Sequence, residues 1–367
     1  MLLYITFVDF RAFFAQGVHR KIQGQVKAME RELDKVYYIG WSYPKAALMK
    51  NEGEVIETEP AVTTKDYIEV IIDWIKKYDV KQTYIRYSKT SKWLLDLLIY
   101  QRTNNIKTVL EITSYPYDIE AAEGIIKSQN DCYNAELYKY FDRITTYSSH
   151  KNILGVSSIN LVNGVDIDKN PISLKEKSEK DIVFITVSSM QTWQGYERFI
   201  EGIYLYYKNG GKYDIRFKMI GSGPEENYYK TLVDKYQLQS RVEFLGQIEL
   251  SEKKRIDQQY DLSDIAVGTL GVYKQMGTNE GSPIKGAEYC ARGIPFICGY
   301  HDLRFPPDWE YILNVPNNAE PIDMNQVIDF YEKVTAQEHY KESMRDYAIK
   351  YLTWDKIMEP VVAYFKA

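Results

Sequence analysis

Apolar residues along this chain fall into short continuous runs that alternate with helical stripes. Residues 2–8 are unbroken apolar sequence, the pattern of a central parallel strand. A helical pattern follows over 22–33, then a strand at 36–39. Residues 43–63 read as polar and irregular. In 64–78, Ile68, Ile71, Ile72 and Ile75 recur at three- and four-residue spacing, which predicts an amphipathic helix capped by Thr64. Strands are predicted at 83–87, 108–112 and 142–149, with a helix at 93–100.

A second series starts after residues 168–180, DKNPISLKEKSEK, where charge and proline replace apolar residues and a linker is expected. Strands are predicted at 182–187, 217–220, 242–245, 265–268 and 294–298. Helices are predicted after 193, at 225–236 and at 283–292, then within 325–351 and at 354–365. Strands alternating with helices at this spacing predict parallel, doubly wound α/β sheets. Two domains are expected, 1–167 and 168–353. No short internal repeat is present.

Composition adds exclusions. The chain has 367 residues, 45% hydrophobic and 26% charged, as in ordinary globular proteins. A net charge of −5 gives no global basic field to recruit nucleic acid. Cys132, Cys290 and Cys298 form no C-x-x-C pair and read as reduced thiols of a cytoplasmic protein. The four histidines are scattered, so no zinc site is expected. Residues 1–8 lack the length and basic flank of a signal peptide. No apolar run approaches a membrane span, and peripheral contact with the inner face of a membrane stays open. Most of the 33 tyrosines read as amphipathic surface, although the ring suits stacking on sugars. Neither G-x-G-x-x-G nor a P-loop occurs, which disfavours dinucleotide dehydrogenases and NTPases.

The chemistry concentrates in 277–297, GTNEGSPIKGAEYCARGIPFI. Ser282 suits an N-cap and Pro283 the first helical position. Glu280 and Glu288 bracket that helix start. Lys285 falls in the first turn, where the helix dipole disfavours a cation unless an anion stands before it. Backbone N–H groups at a helix N-terminus are themselves an anion site. A nucleotide diphosphate-sugar fits: phosphates at the helix mouth with Gly281 and Ser282, sugar hydroxyls near Glu280, ribose hydroxyls near Glu288. The plainer alternative is a solvated helix with two surface glutamates. Strand ends carry ligands in open α/β sheets, which brings in Arg86, Glu111 and Tyr115. Glu111 could take a proton from an acceptor hydroxyl or be a satisfied polar residue under its loop. His19 is a second candidate base.

The same stretch resembles the signature of retaining GT-B glycosyltransferases, above all glycosyltransferase family 4. There, Glu-x7-Glu opens a helix and Ala-x-Gly-x-Pro follows, here Ala291 to Pro295. Further pieces match in order: Asn163-Gly164-Val165-Asp166, Trp193-x-Gly-Tyr-x-Arg198, Ile220-Gly221-x-Gly-Pro-Glu225 and Val242-x-Phe-Leu-Gly246. Residues 111–117 resemble a segment of bacterial polysaccharide glycosyltransferases. The resemblance implies two Rossmann-like domains facing across a cleft. The C-terminal one would hold a UDP-, GDP- or dTDP-sugar, and the last helix, 354–367, would return to the first domain.

The resemblance further implies transfer of a hexosyl-type unit, with retention, to a hydroxyl of a saccharide or lipid-linked saccharide. Gly17 matches the glycine loop that approaches donor phosphates, unless it is a plain turn. Gly221 and Arg198 join the donor side, with Arg198 alternatively a surface residue. The family's Arg and Lys after the first strand of the second domain are Ser189 and Gln194 here, and its strand-end histidine is missing. With no Asp-x-Asp, no obligatory metal is expected. The departures leave open a catalytically weak GT-B subunit that partners or chaperones an active transferase. An epimerase or phosphorylase is a third GT-B possibility, and the basic site a phosphorylase needs is missing.

Overall fold

The computed structural model describes residues 1–367 except 12–15, 88–90, 114, 116–135, 179, 250–251 and 275–278. Cys132 and residues 114, 116 and 117 of the 111–117 segment therefore lie outside the described residues. The chain divides into two compact units. Met1–Gly164 with Trp354–Ala367 form one, and Val165–Thr353 form the other. Residues 165–167, read above as part of the first domain, belong to the second: the Val165 N–H donates to the Leu352 carbonyl at 2.8 Å. The expected linker has no helix or strand among its described residues and is mostly exposed, with Asn170 and Ser173 buried within it.

The first unit runs β1 (Leu2–Asp9), α1 (Gln16–Glu32), β2 (Val36–Ser42), β3 (Lys45–Met49), β4 (Val55–Pro60), α2 (Thr64–Lys77), β5 (Gln82–Arg86), α3 (Lys92–Thr103), β6 (Lys107–Ile112), β7 (Arg143–Thr146), β8 (Asn152–Ile153) and β9 (Val156–Asn160). Its nine-stranded sheet has the order β4-β3-β2-β1-β5-β6-β7-β9-β8. The run β2-β1-β5-β6-β7-β9 pairs in parallel. The predicted irregular stretch 43–63 is instead two antiparallel strands that extend the sheet. Ala46, Ala47 and Leu48 are buried there, a run too short to stand out in the sequence. The cap of α2 is Thr63, one residue before the expected Thr64. Its hydroxyl accepts from the Asp66 N–H at 3.2 Å, and Asp66 accepts from the Thr63 N–H at 2.9 Å.

The C-terminal helix, Trp354–Lys366, packs on α1 in the first unit. Its last carbonyls are met by side chains from the sheet: Lys107 donates to Tyr364 and Gln82 to Phe365, each at 2.7 Å. The close approach depends on Gly24. A Cβ at that position would lie 2.3 Å from the Trp354 ring. Helix propensity favours Gly24→Ala by roughly 1 kcal/mol, but overpacking costs about 1–3 kcal/mol. The expected net result is a lower urea midpoint, read by circular dichroism.

The second unit runs β10 (Asp181–Val187), α4 (Glu197–Lys208), β11 (Asp214–Ile220), α5 (Glu226–Lys235), β12 (Val242–Gly246), α6 (Lys253–Tyr260), β13 (Ile265–Val267), β14 (Glu280–Gly281), α7 (Ile284–Ala291), β15 (Phe296–Cys298), β16 (His301–Asp302), β17 (Ile312–Asn314), α8 (Met324–Thr335) and α9 (Tyr340–Tyr347). Six strands form a wholly parallel sheet in the order β12-β11-β10-β13-β15-β17. Phe184, Phe199 and Phe217 pack edge to face in its core at 4.7–4.9 Å.

Strand order reverses between β10 and β13 in this sheet, and between β1 and β5 in the first. Open α/β sheets bind ligands outside the strand ends at such reversals. Each reversal here gathers buried polar side chains.

Candidate functional site

In the second unit the loops after β10 and β13 meet the start of α7. That helix begins at Ile284, with Pro283 as its cap residue and Ser282 buried just before it. The start is thus one residue later than the Ser282 and Pro283 pattern predicted.

Lys285 occupies the first turn of α7 and is 8% exposed. Its ammonium donates to Gln194 Oε1 at 2.6 Å and to the Tyr196 hydroxyl at 3.0 Å. Both partners, among the described residues, are neutral. Gln194 Oε1 also accepts from Thr269 Oγ1 at 3.1 Å and Tyr196 OH at 3.2 Å, so its carbonyl is saturated. Tyr196 is fully buried and ties Thr186 and Ser188 to the same cluster. Tyr196 and Thr269 had no role in the sequence reading. Tyr196 stood in a quoted motif, whereas Thr269 carried no signal.

Glu280 and Gly281 form β14, which pairs with β16: Glu280 lies opposite His301 and Gly281 opposite Asp302. Beneath this ladder Asp302 and Arg304 make a buried two-pronged pair, Nε to Oδ1 at 2.8 Å and a terminal nitrogen to Oδ2 at 2.5 Å. Gly286 of α7 leaves room for it, since a Cβ there would sit 2.5 Å from Arg304. The pair therefore locks the β16 backbone against both Glu280 and α7. Sequence reasoning missed Asp302 and Arg304, which lie two residues apart with no motif around them. Glu288 lies one turn beyond Lys285 on α7, half-buried.

Other expected residues sit elsewhere or are already occupied. Arg198 is 1% exposed, and its guanidinium is spent on the chain itself. It donates to the carbonyls of Glu320 (2.7 Å), Leu270 (2.6 Å) and Pro316 (2.9 Å), and to Asn318 Oδ1 (3.1 Å). It is a structural tie rather than a donor-binding cation. Gly221 follows β11 with φ 123° and lies against the Ser188 carbonyl, where a Cβ would be 2.0 Å away. Its role is to pack the two loops beside the site. Gly17 is not in a loop but inside the first turn of α1, with open space where a Cβ would be. Ser189 is exposed.

In the first unit Glu111, at the end of β6, is fully buried. It accepts from Arg86 (2.5 Å), Tyr84 (2.6 Å), Gln25 (2.7 Å) and Tyr147 (3.3 Å), with the Lys21 ammonium at 3.5 Å. Burial alone would raise its pKa, but Lys21 and Arg86 overcome that and hold it at about 2. Such a carboxylate is far too weak a base to take a hydroxyl proton near neutrality, so the reading of Glu111 as catalytic base is corrected. Arg86 is its partner, not a free acceptor-side cation. Lys21, unremarked in the sequence, lies over the Tyr147 ring at 3.4 Å, and burial lowers its pKa to about 7. His19 stacks on Phe10 at 4.2 Å, and burial lowers its pKa. Tyr115 meets His150 edge-on at 4.8 Å.

Among the described residues no three potential metal ligands cluster, and no helix is long and apolar enough to cross a membrane. Cys290 and Cys298 are buried free thiols.

Residues 168–303 match the family model of glycosyl transferases group 1. No curated protein sequence matches the chain. Solved glycosyltransferase structures share its GT-B architecture. One from Rickettsia africae ESF-5 is 18% identical with a TM-score of 0.66, over 100% of this chain and 98% of that one. Alr3699/HepE of Anabaena, in complex with UDP, is 12% identical with a TM-score of 0.66, over 100% and 99%. The lipopolysaccharide outer core galactosyltransferase WaaB is 11% identical with a TM-score of 0.58, over 100% and 99%.

Proposed function

We propose that this protein is a glycosyltransferase that moves a sugar from a nucleotide-sugar donor to a hydroxyl acceptor with retention of configuration. The observation that carries the reading is Lys285: a cation buried at a helix N-terminus whose partners are neutral. Burying an uncompensated ion costs several kcal/mol, and the helix dipole adds to that cost. A diphosphate at the mouth of α7 would offset both penalties at once, because it brings negative charge to the ammonium and to the helix N-terminus together.

In this reading Gly281 and Ser282 approach the phosphates, Glu280 holds sugar hydroxyls and Glu288 holds ribose hydroxyls. Gln194 orients Lys285 through its saturated carbonyl. The leaving diphosphate helps deprotonate the acceptor on the same face, and Lys285 stabilises the charge that develops on it. With Glu111 excluded as base, the mechanism asks for no protein carboxylate at that step. His19, uncharged because of its burial, and Tyr115 remain the acceptor-side groups of the proposal. The acceptor is a saccharide or lipid-linked saccharide of surface polysaccharide or glycoconjugate synthesis.

The UDP seen in the Anabaena protein makes UDP-sugars the first donors to test, ahead of GDP- and dTDP-sugars. Calorimetric titration of the full chain is expected to show binding of at least one nucleotide-sugar. Glu288→Ala is expected to weaken that binding roughly tenfold, the loss of a charge-assisted hydrogen bond. A second reading, a GT-B subunit that partners an active transferase, is favoured by the commitment of Arg198, Arg86 and Glu111 to the protein's own structure. Failure of every nucleotide-sugar to bind would decide for it.

A further inference from the structure

Beside Glu280 the second unit has a pocket of about 530 Å³ that the proposed donor contacts leave unused. It opens at the ends of β15 and β17, where the Val315 N–H closes on the Cys298 carbonyl at 2.9 Å. Its volume lies within the range of small-molecule sites, about 300–1,000 Å³. Four carboxamides line it, Asn279, Asn314, Asn317 and Gln326, with His301 beside them and Pro316 as an apolar patch. Among its described lining residues there is no carboxylate, lysine or arginine.

The pocket is built into the Glu280 ladder. Asn279 directly precedes Glu280, and its carbonyl accepts from the His301 N–H at 2.9 Å. His301 in turn lies opposite Glu280 across β14 and β16. Asn317 Nδ2 donates to Asn279 Oδ1 at 3.0 Å, which orients both amides. That leaves Asn317 Oδ1 buried with no hydrogen-bond partner among the described residues. A buried acceptor without a donor is a standing cost, and a turn of the Asn317 amide that brings Oδ1 to the pocket would let a ligand hydroxyl remove it.

Lining chemistry selects the ligand class. An ionised ligand would meet no opposite charge among these lining residues. A carboxamide both donates and accepts, as a sugar hydroxyl does, so rings with several hydroxyls match four amides better than an alcohol or an amine does. We propose that this pocket binds a neutral saccharide unit next to the transferred sugar, a subsite for a substrate longer than one ring. The inference rests on the transferase reading for its place in catalysis, but the binding itself stands on the pocket alone.

Saturation-transfer difference NMR on the full chain tests it, with methyl α-glucoside, methyl α-galactoside and N-acetylglucosamine as probes and acetate as the charged control. UDP is titrated in parallel on the wild type. At least one neutral sugar is expected to give a signal and acetate none. Asn317→Ala is expected to weaken that sugar roughly tenfold. Gln326 is exposed on α8, so Gln326→Trp fills the pocket without disturbing the core and is expected to abolish the signal. Wild-type protein that binds UDP but no neutral sugar overturns the pocket and leaves the transferase reading intact. A sugar signal unchanged in both variants also overturns it. Sugar binding lost in both variants, with no binding of UDP or any nucleotide-sugar, supports the pocket and removes the transferase reading.

Discussion

Lys285→Met is expected to lower turnover of the nucleotide-sugar by about 100- to 1,000-fold, the usual cost of removing one donor aimed at developing negative charge. Methionine keeps most of the side-chain volume, so the packing around α7 survives. Gln194 Oε1 keeps Thr269 and Tyr196 as donors and is not orphaned. Because the ammonium is buried with neutral partners among the described residues, its removal is not expected to destabilise the fold. The thermal midpoint should stay level or rise. A purely structural lysine predicts the opposite pattern, a lower midpoint with catalysis falling only as folded protein is lost. Steady-state kinetics with a UDP-sugar, run beside a thermal melt, separate the two. Full activity in Lys285→Met would remove the residue from the mechanism and take the main support of the donor site with it.

Parallel architecture was legible because each strand is a short apolar run and each helix a stripe. Residues 2–8 and 182–187 are near-continuous apolar runs without alternation, and both are central strands. The hairpin of β3 and β4 was not legible, because four buried residues in one strand beside an exposed, charged one give no periodic signal. At the site, sequence spacing located Glu280, Lys285 and Glu288 around one helix start, since a helix fixes the distance between its own residues. It misassigned Arg198 and Glu111 for a common reason. Whether a charged residue serves a substrate or the fold depends on partners remote in sequence: Glu320 lies 122 residues from Arg198, and Gln25 lies 86 from Glu111. Asp302 and Arg304 were invisible for the same reason, because what they hold, the Glu280 strand and α7, is adjacent only after folding.

Glu111→Gln is expected to destabilise the first unit by about 3–5 kcal/mol, the usual cost of leaving buried charge uncompensated. Arg86 and Lys21 both address Oε1, while Tyr84, Gln25 and Tyr147 donate to Oε2. Whichever way the new amide turns, its NH2 meets donors on one side, and two cations lose the one full counter-charge that pairs with them among the described residues. The pH dependence gives a second readout. Glu111 titrates near 2 in the fold and near 4.5 as an ordinary carboxyl. Its contribution is therefore complete above pH 4.5 and is lost as pH falls towards 2, where the unfolded chain binds more protons. Lys21 has the opposite origin, with burial pulling it from 10.5 to about 7. The unfolded chain binds the extra proton between those values, so stability rises with pH from 7 to 10.5. Removing the Glu111 charge lowers Lys21 further, so that rise should begin below pH 7 in the variant, while the acid limb between pH 4.5 and 2 loses the Glu111 contribution. Urea midpoints measured across pH check both limbs, and an unchanged midpoint at pH 7 would show that the carboxylate does not hold this cluster together.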